Sequence, residues 1–326
     1  MASIKNTMAV CGVWGGMAVL SARPDFSAFI GIDWSGAKGE RHGGLQLACA
    51  KPGKAVPETL APPSHSRWSR PEVMACLAEL AAQAGDQAVL VGIDFAFAHP
   101  FDDYNSYFPR ANGLVPENPA SLWRLVDDVN ADQRHLYGGA MFQHPIWGRY
   151  YLAPPKFDAD RYQSRRRLTE YAAREAGKSP SPTFKAVGAD NVCTGSLAGM
   201  RLLHQLKTAL GAALAVWPFE PLKAGVTKLV LVEIFPSFYF HHLDLVPDKN
   251  AAAKAAFLNR ALHGYDSAGV AADFVAAGHD ADEADALISA AALRHFASNG
   301  GFDLAPAIQR VAQQEGWIFG VPPVPA

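Results

Sequence analysis

The chain has 326 residues, of which 49% are hydrophobic and 18% charged, with a formal net charge of −2. That length suits one large domain or two ordinary ones, and the apolar share is that of a globular protein rather than a disordered one. The near-zero charge excludes a protein that coats duplex DNA non-specifically, so any nucleic-acid contact has to come from a local basic patch.

At the N-terminus, Lys5 precedes an apolar stretch from Met8 to Leu20 and the small residues Ser21 and Ala22, an order similar to a secretory signal. Three glycines, Trp14 and Cys11 interrupt the stretch. Residues 1–27 are therefore expected to form a disordered or loosely packed extension, and residues 28–326 a single domain. No apolar run is long enough to span a bilayer. The four cysteines, Cys11, Cys49, Cys76 and Cys193, form no CxxC pair and read as free thiols of a reducing, cytoplasmic compartment.

The first strand is Ala28 to Asp33, continuously apolar as a strand covered on both faces would be. Gly44 to Ala50 predicts a second strand, and Lys51 to Arg70, rich in Pro and Ser, predicts a loop. Ser69-Arg-Pro-Glu72 has capping-box spacing ahead of a helix that ends at Gly85. Ala88 to Asp94 is another buried strand. From Phe95 to about Pro221 the pattern turns irregular, with helices predicted at Ala120–Val129, Asp160–Ala176 and Ser196–Leu210. This stretch reads as a large α-rich insertion, at about residues 95–221. Lys228 to Ile234 restores the strand pattern, ending at Pro236. Helices are expected at Ala251–Leu262, Val270–Ala277 and Ala281–Ser298, the last stopping at Asn299-Gly-Gly301.

Three core strands end in an acid: Asp33, Asp94 and Glu233. In open α/β sheets, residues at the carboxyl ends of strands face the crevice where ligands bind. Acids packed together repel unless a proton or cation sits among them. Each acid alone reads equally well as a loop cap. Asp282 and Asp285, three apart, share a face of the last long helix. The helix dipole favours acids there, but capping does not call for Asp285 a full turn in. Hard oxygen donors without Cys or a His cluster point to Mg²⁺ or Mn²⁺, and a pair of such ions suits phosphoryl transfer.

These residues carry a resemblance. An acid ending the first strand, an acid on a later core strand and Asp282-Glu-Ala-Asp285-Ala286 opening a late helix are similar to the ribonuclease H-like superfamily, the last string to the final motif of Holliday-junction resolvases. Gly31-Ile-Asp33, Gly92-Ile-Asp94, Glu233-Ile-Phe-Pro236, Asp282-Glu-Ala-Asp285-Ala-Leu287 and Glu315-Gly-Trp-Ile318, in this order, resemble the domain-of-unknown-function family 429 of predicted nucleases. The resemblance implies a mixed sheet flanked by helices, with an insertion after the fourth strand. It also implies a metal-dependent nuclease whose catalytic residues are Asp33, Asp94, Glu233, Asp282 and Asp285. Of these, Asp33, Asp94, Glu233 and Asp285 would hold two Mg²⁺ or Mn²⁺ ions. Resolvases place Glu at the fourth strand where this chain has Asp94, so either Asp94 or Glu233 completes the site.

A nucleic acid or nucleotide would meet the insertion. Between Lys156 and Lys185, eight basic residues against four acids leave a local excess of +4, interleaved with Tyr162, Tyr171 and Phe184. Arg165, Arg166, Arg167 and Lys185 are the candidate substrate contacts, and an Arg166–Glu170 helix pair is the bland alternative. Thr194 to Gly199, opening a helix, and Ser35-Gly36 after the first strand could present backbone amides to a phosphate. Two other functions remain open. An actin- or sugar-kinase-like ATPase shares this strand order, though Gly92-Ile-Asp94-Phe lacks the glycine of a second phosphate loop. A non-catalytic binding module could also use the same fold.

Overall fold

Six strands form one mixed sheet: β1 (Phe26–Asp33), β2 (Gln46–Ala50), β3 (Glu58–Leu60), β4 (Ala88–Ile93), β5 (Leu214–Val216) and β6 (Leu229–Glu233), in the order β3-β2-β1-β4-β6-β5. β1, β2 and β3 pair antiparallel, whereas β1, β4, β6 and β5 run parallel. The structure is a computed structural model and describes residues 23–113, 115–154, 159–188, 191–246, 253–278 and 281–323. Residues 1–22 of the expected N-terminal extension lie outside this set.

Side-chain alternation splits the apolar strands between two cores. Ile30, Ile32, Val89, Val91, Ile93, Leu229 and Leu231 face one side. There they pack against α1 (Arg70–Gln83), α2 (Pro119–Val129) and α4 (Cys193–Leu210). Phe29, Leu90, Val230 and Val232 face the other side. Covering them are α3 (Leu168–Glu175), α5 (Pro236–His241), α6 (Ala255–Gly264), α7 (Asp282–Ser298) and α8 (Pro306–Glu315). The chain is thus an α/β protein with a mixed sheet flanked by helices. No helix among the described residues is long and apolar enough to cross a membrane.

Local chemistry explains where the elements start. Ser69 caps α1 in a full capping box with Glu72, and Pro71 occupies the first turn. Pro236 opens α5 instead of closing a strand, because its fixed φ suits the first helical position. His241 and His242 lie at the end of this helix. Four elements have no counterpart in the sequence analysis: β3 inside the expected 51–70 loop, β5, α5 and α8. Only eight residues of the expected Asp160–Ala176 helix are helical, Leu168–Glu175. Val270–Ala277 is not helical, and Val275 bridges Lys254. α2, α4 and α7 stand close to expectation.

The packing of α7 on β1 and β4 sets up everything that follows. A Cβ on Gly31 would lie 2.4 Å from the Ala286 carbonyl oxygen and 2.7 Å from the Ala290 nitrogen. One on Gly92 would lie 2.4 Å from Ile234 Cγ2 and 2.9 Å from Leu293 Cδ1. The two glycines, with Ala286 and Ala290 opposite, let the helix backbone rest on the sheet. Gly31→Ala is expected to cost about 1–3 kcal/mol through overpacking, read as a lower urea midpoint. An unchanged midpoint would show that α7 moves freely on the sheet.

Candidate functional site

Register separates the strand-end acids into two groups. Ile32 pairs with Ile93, and Ile93 with Glu233, so Glu233 shares a row and a parity with apolar residues of the α1 side. Asp33 and Asp94 come one residue later, in step with Gly31 and Gly92, on the side of α7. Asp94 continues the ladder, its amide donating to the Ile32 carbonyl at 3.0 Å.

α7 brings the remaining acids. Asp282 is its first residue and Asp285 lies in its first turn. No side chain caps this helix, and Ala281 before it sits in the left-handed region at φ 67°, an uncommon conformation for a non-glycine residue. Glu283 faces away. Its carboxylate accepts from Thr59 Oγ1 at 2.6 Å and from the Ala277 amide at 2.7 Å, tying the helix start to β3. His279 and Asp280 lie outside the described residues.

Asp33, Asp94, Asp282 and Asp285 thus form one electrostatic cluster. Burial, followed by the charges of Asp285, Asp94 and Asp282, pushes the Asp33 carboxyl well above the usual carboxylate range, and Asp282 shares a side-chain hydrogen bond with it. Burial, followed by Glu233, raises Asp94 to about 7. Two carboxyls joined by a hydrogen bond hold a proton between them. Among the described residues, no three His, Cys, Asp or Glu side chains stand as a ready-made metal cage.

Glu233, expected as a metal ligand, is engaged elsewhere. Arg167 grips it in two parallel bonds, Nη2 to Oε1 at 2.6 Å and Nη1 to Oε2 at 2.7 Å, and the Phe97 amide donates to Oε2 at 3.0 Å. Arg167 Nε also donates to Glu170 Oε1 at 2.8 Å. The pair within the helix is therefore Arg167–Glu170, not the Arg166–Glu170 pair of the bland reading. Nearby, Glu315 accepts from the amides of Phe101, Asp102 and Leu168. Burial lifts Glu170 to about 7 against the pull of Arg167. Arg167, the ion-pair partner of Glu233 among the described residues, is thus one of the expected substrate contacts.

Two arginines of the basic patch, Arg165 and Arg167, are likewise turned inward. Arg165 is buried, paired with Asp103 and donating to the carbonyls of Pro100, Ser106 and Tyr107. It fastens the 100–107 loop and offers nothing to a phosphate. Arg167 is 1% exposed. Arg166 donates to the Pro180 carbonyl, and Lys185 bridges Leu152 through its backbone. Lys156 lies outside the described residues. The carbonyl of Ser35 accepts from the fully buried Arg70 at 2.7 Å, so its loop is pinned beneath α1.

Beside Asp94 opens a cleft of about 400 Å³. Asp94, Arg167, Glu170 and Glu233 line it, together with Lys178, Ser181, Thr194 and Gly195. Asp33, Asp282 and Asp285 are not among its lining residues. The sequence reading singled out neither Glu170, Ser181 nor Lys178 as a site residue. Only the Arg167-x-x-Glu170 spacing hinted at the first. A scan of protein-family models, a search of curated proteins and a search of solved structures each return no match to this chain.

Proposed function

We propose that the chain is a metal-dependent phosphodiester hydrolase built on a ribonuclease H-like core, with the elements between β4 and β6 as its insertion. The observation that carries this reading is the crowding of Asp33 by three further carboxylates where β1, β4 and the start of α7 meet. Such a cluster is costly as bare charge and is relieved by a proton or by a divalent cation. The order β3-β2-β1-β4-β6, antiparallel and then parallel, supports the same reading.

The donor set fits a hard cation: oxygen only, from Asp33, Asp94, Asp282 and Asp285. Glu233 is left out, because Arg167 holds both its oxygens. A bound Mg²⁺ or Mn²⁺ would supply water activation and stabilise the leaving oxygen. The chain itself contributes the rest. α7 holds two carboxylates against β1, Asp94 can exchange a proton near neutral pH, and Arg167 keeps Glu233 clear of the cluster.

Calorimetric titration with Mn²⁺ tests this. Binding is expected for the native chain and a loss of at least tenfold in affinity for Asp285→Asn, together with loss of Mn²⁺-dependent cleavage of a single-stranded oligonucleotide. Equal Mn²⁺ binding by both proteins would sink the assignment.

A further inference from the structure

We propose that Glu283 is a positioning residue of the carboxylate cluster: by binding Ala277 and Thr59 it holds Asp282 over Gly278, in the orientation in which Asp282 meets Asp33 and a divalent cation. The cation belongs to the hydrolase reading, on which this inference rests. The positioning itself stands on contacts within the free chain.

Glu283 is the second residue of α7, where the helix dipole alone favours an acid. Its contacts exceed that role. One carboxylate oxygen accepts from Thr59 Oγ1 at 2.6 Å and the other from the Ala277 amide at 2.7 Å, so both are engaged outside the helix. The Glu283 amide in turn donates to the Ala277 carbonyl at 3.1 Å. One residue thus holds both main-chain polar groups of Ala277, and Thr59 ties it to β3. No side chain caps α7 at Ala281. The Glu283 clasp does the fastening that a capping side chain would otherwise do.

Asp282 lies beside this clasp. A Cβ on Gly278 would lie 2.8 Å from Asp282 Cγ and would collide with Oδ2, so the carboxylate rests on bare glycine backbone. Gly278 has φ 98°, a conformation that suits glycine and strains other residues. A Cβ on Gly44 would stand 3.5 Å from the same Oδ2. The carboxylate also shares a hydrogen bond with Asp33. Three neighbours, Gly278, Gly44 and Asp33, therefore set where Asp282 points. Gly278 follows Ala277 in the chain, so the bonds that hold Ala277 to α7 also hold the surface on which Asp282 lies. Outer partners of this kind govern metal affinity 10–100-fold without touching the ion, an order-of-magnitude expectation.

Three variants of the full chain test the role. Glu283→Ala removes both side-chain bonds. Glu283→Gln keeps them, its amide oxygen accepting from the Ala277 amide and its nitrogen donating to the Thr59 hydroxyl, which can accept as well as donate. Gly278→Ala leaves Glu283 intact but drives Asp282 off its seat. Mn²⁺ calorimetry is run well below the melting temperature of every variant, so that lost stability alone leaves the affinity unchanged. Glu283→Ala and Gly278→Ala are expected to bind at least about tenfold more weakly, and Glu283→Gln within about threefold of the native chain. Crystal structures of the metal-free variants are expected to keep the Asp282–Asp33 bond in Glu283→Gln and to lose it in Glu283→Ala. An unmoved Asp282 in Glu283→Ala, or a loss in Glu283→Gln as large as in Glu283→Ala, overturns the positioning role. If the native chain binds no Mn²⁺ while Asp282 leaves Asp33 in Glu283→Ala and stays in Glu283→Gln, the hydrolase reading fails alone. If the native chain and Glu283→Ala bind Mn²⁺ equally, the positioning role fails alone.

Discussion

Arg167→Met is expected to cost about 3–5 kcal/mol of folding stability, the range for removing one partner of a buried ion pair. Arg167, Glu170 and Glu233 are all buried, and the arginine bonds to both carboxylates. Methionine replaces most of the aliphatic bulk, so the loss is one of charge. Without the guanidinium, Glu233 keeps only the Phe97 amide, and two buried carboxylates repel each other. Glu170, already raised to about 7 by burial, loses the pull of Arg167 and rises further. An acid raised in this way penalises folding above its unfolded pKa, and the penalty grows with pH until the folded pKa is passed. The variant should therefore be much weaker than the native chain at pH 8 and closer to it at pH 5. Urea melts at both values read this directly. Replacing all three residues, as Arg167→Met/Glu170→Gln/Glu233→Gln, is expected to recover most of the loss, since no uncompensated charge remains. A deficit that is the same at pH 5 and pH 8 would assign the role of Arg167 to packing.

This network also marks where the amino-acid sequence stops being legible. Continuous apolar runs identify β1, β4 and β6, because strands covered on both faces show no polar alternation. The capping box at Ser69 and the Asn299-Gly-Gly301 stop are local chemistry and read off directly. Grouping Asp33, Asp94 and Glu233 by their place at strand ends, however, ignored the pleat. With the register in hand, Glu233 falls one row short of the other two and takes the opposite face. Register between distant parallel strands is a tertiary property, and no local pattern supplies it. The run Arg165-Arg-Arg167 misled for a related reason. Composition shows a charge excess but not its direction, and here two of the three guanidinium groups stitch the loops after β4 to α3 and β6. β3 and β5 escaped notice because three residues at a sheet edge carry too little pattern to exceed their loops. The approach of α7 to β1 was half visible: Gly31 and the alanines of 284–292 are the signature of close packing, but their pairing is not.

The carboxylate cluster makes the opposite prediction to the arginine. Asp33→Asn should stabilise the metal-free chain while removing its metal binding. Asp33 is the group most crowded by like charge, its carboxyl raised by burial, Asp285, Asp94 and Asp282 in turn. Asparagine keeps the size and a donor toward Asp282 without the charge. Relief of that crowding is expected to stabilise the metal-free Asp33→Asn chain at pH 8 by about 0.5–2 kcal/mol, the size of an ordinary stabilising substitution. The sign with pH follows from the same shifts. Well below pH 3.8 these carboxyls are protonated in both states, and the penalty is absent. It grows as pH rises through 4 towards 7, where Asp94 titrates in the folded chain, and it is present in full above that. Native stability should therefore fall across this window, and the Asp33→Asn chain should fall less. Mn²⁺ at a hundredfold excess over its dissociation constant adds about 2.7 kcal/mol to a chain that binds it. That gain should appear at pH 8 in the native protein and be absent in Asp33→Asn. A residue whose loss strengthens the fold and abolishes its ligand is placed there for chemistry rather than for folding. If Asp33→Asn instead weakens the metal-free chain at pH 8, Asp33 serves the fold, and the acids meet for structural reasons.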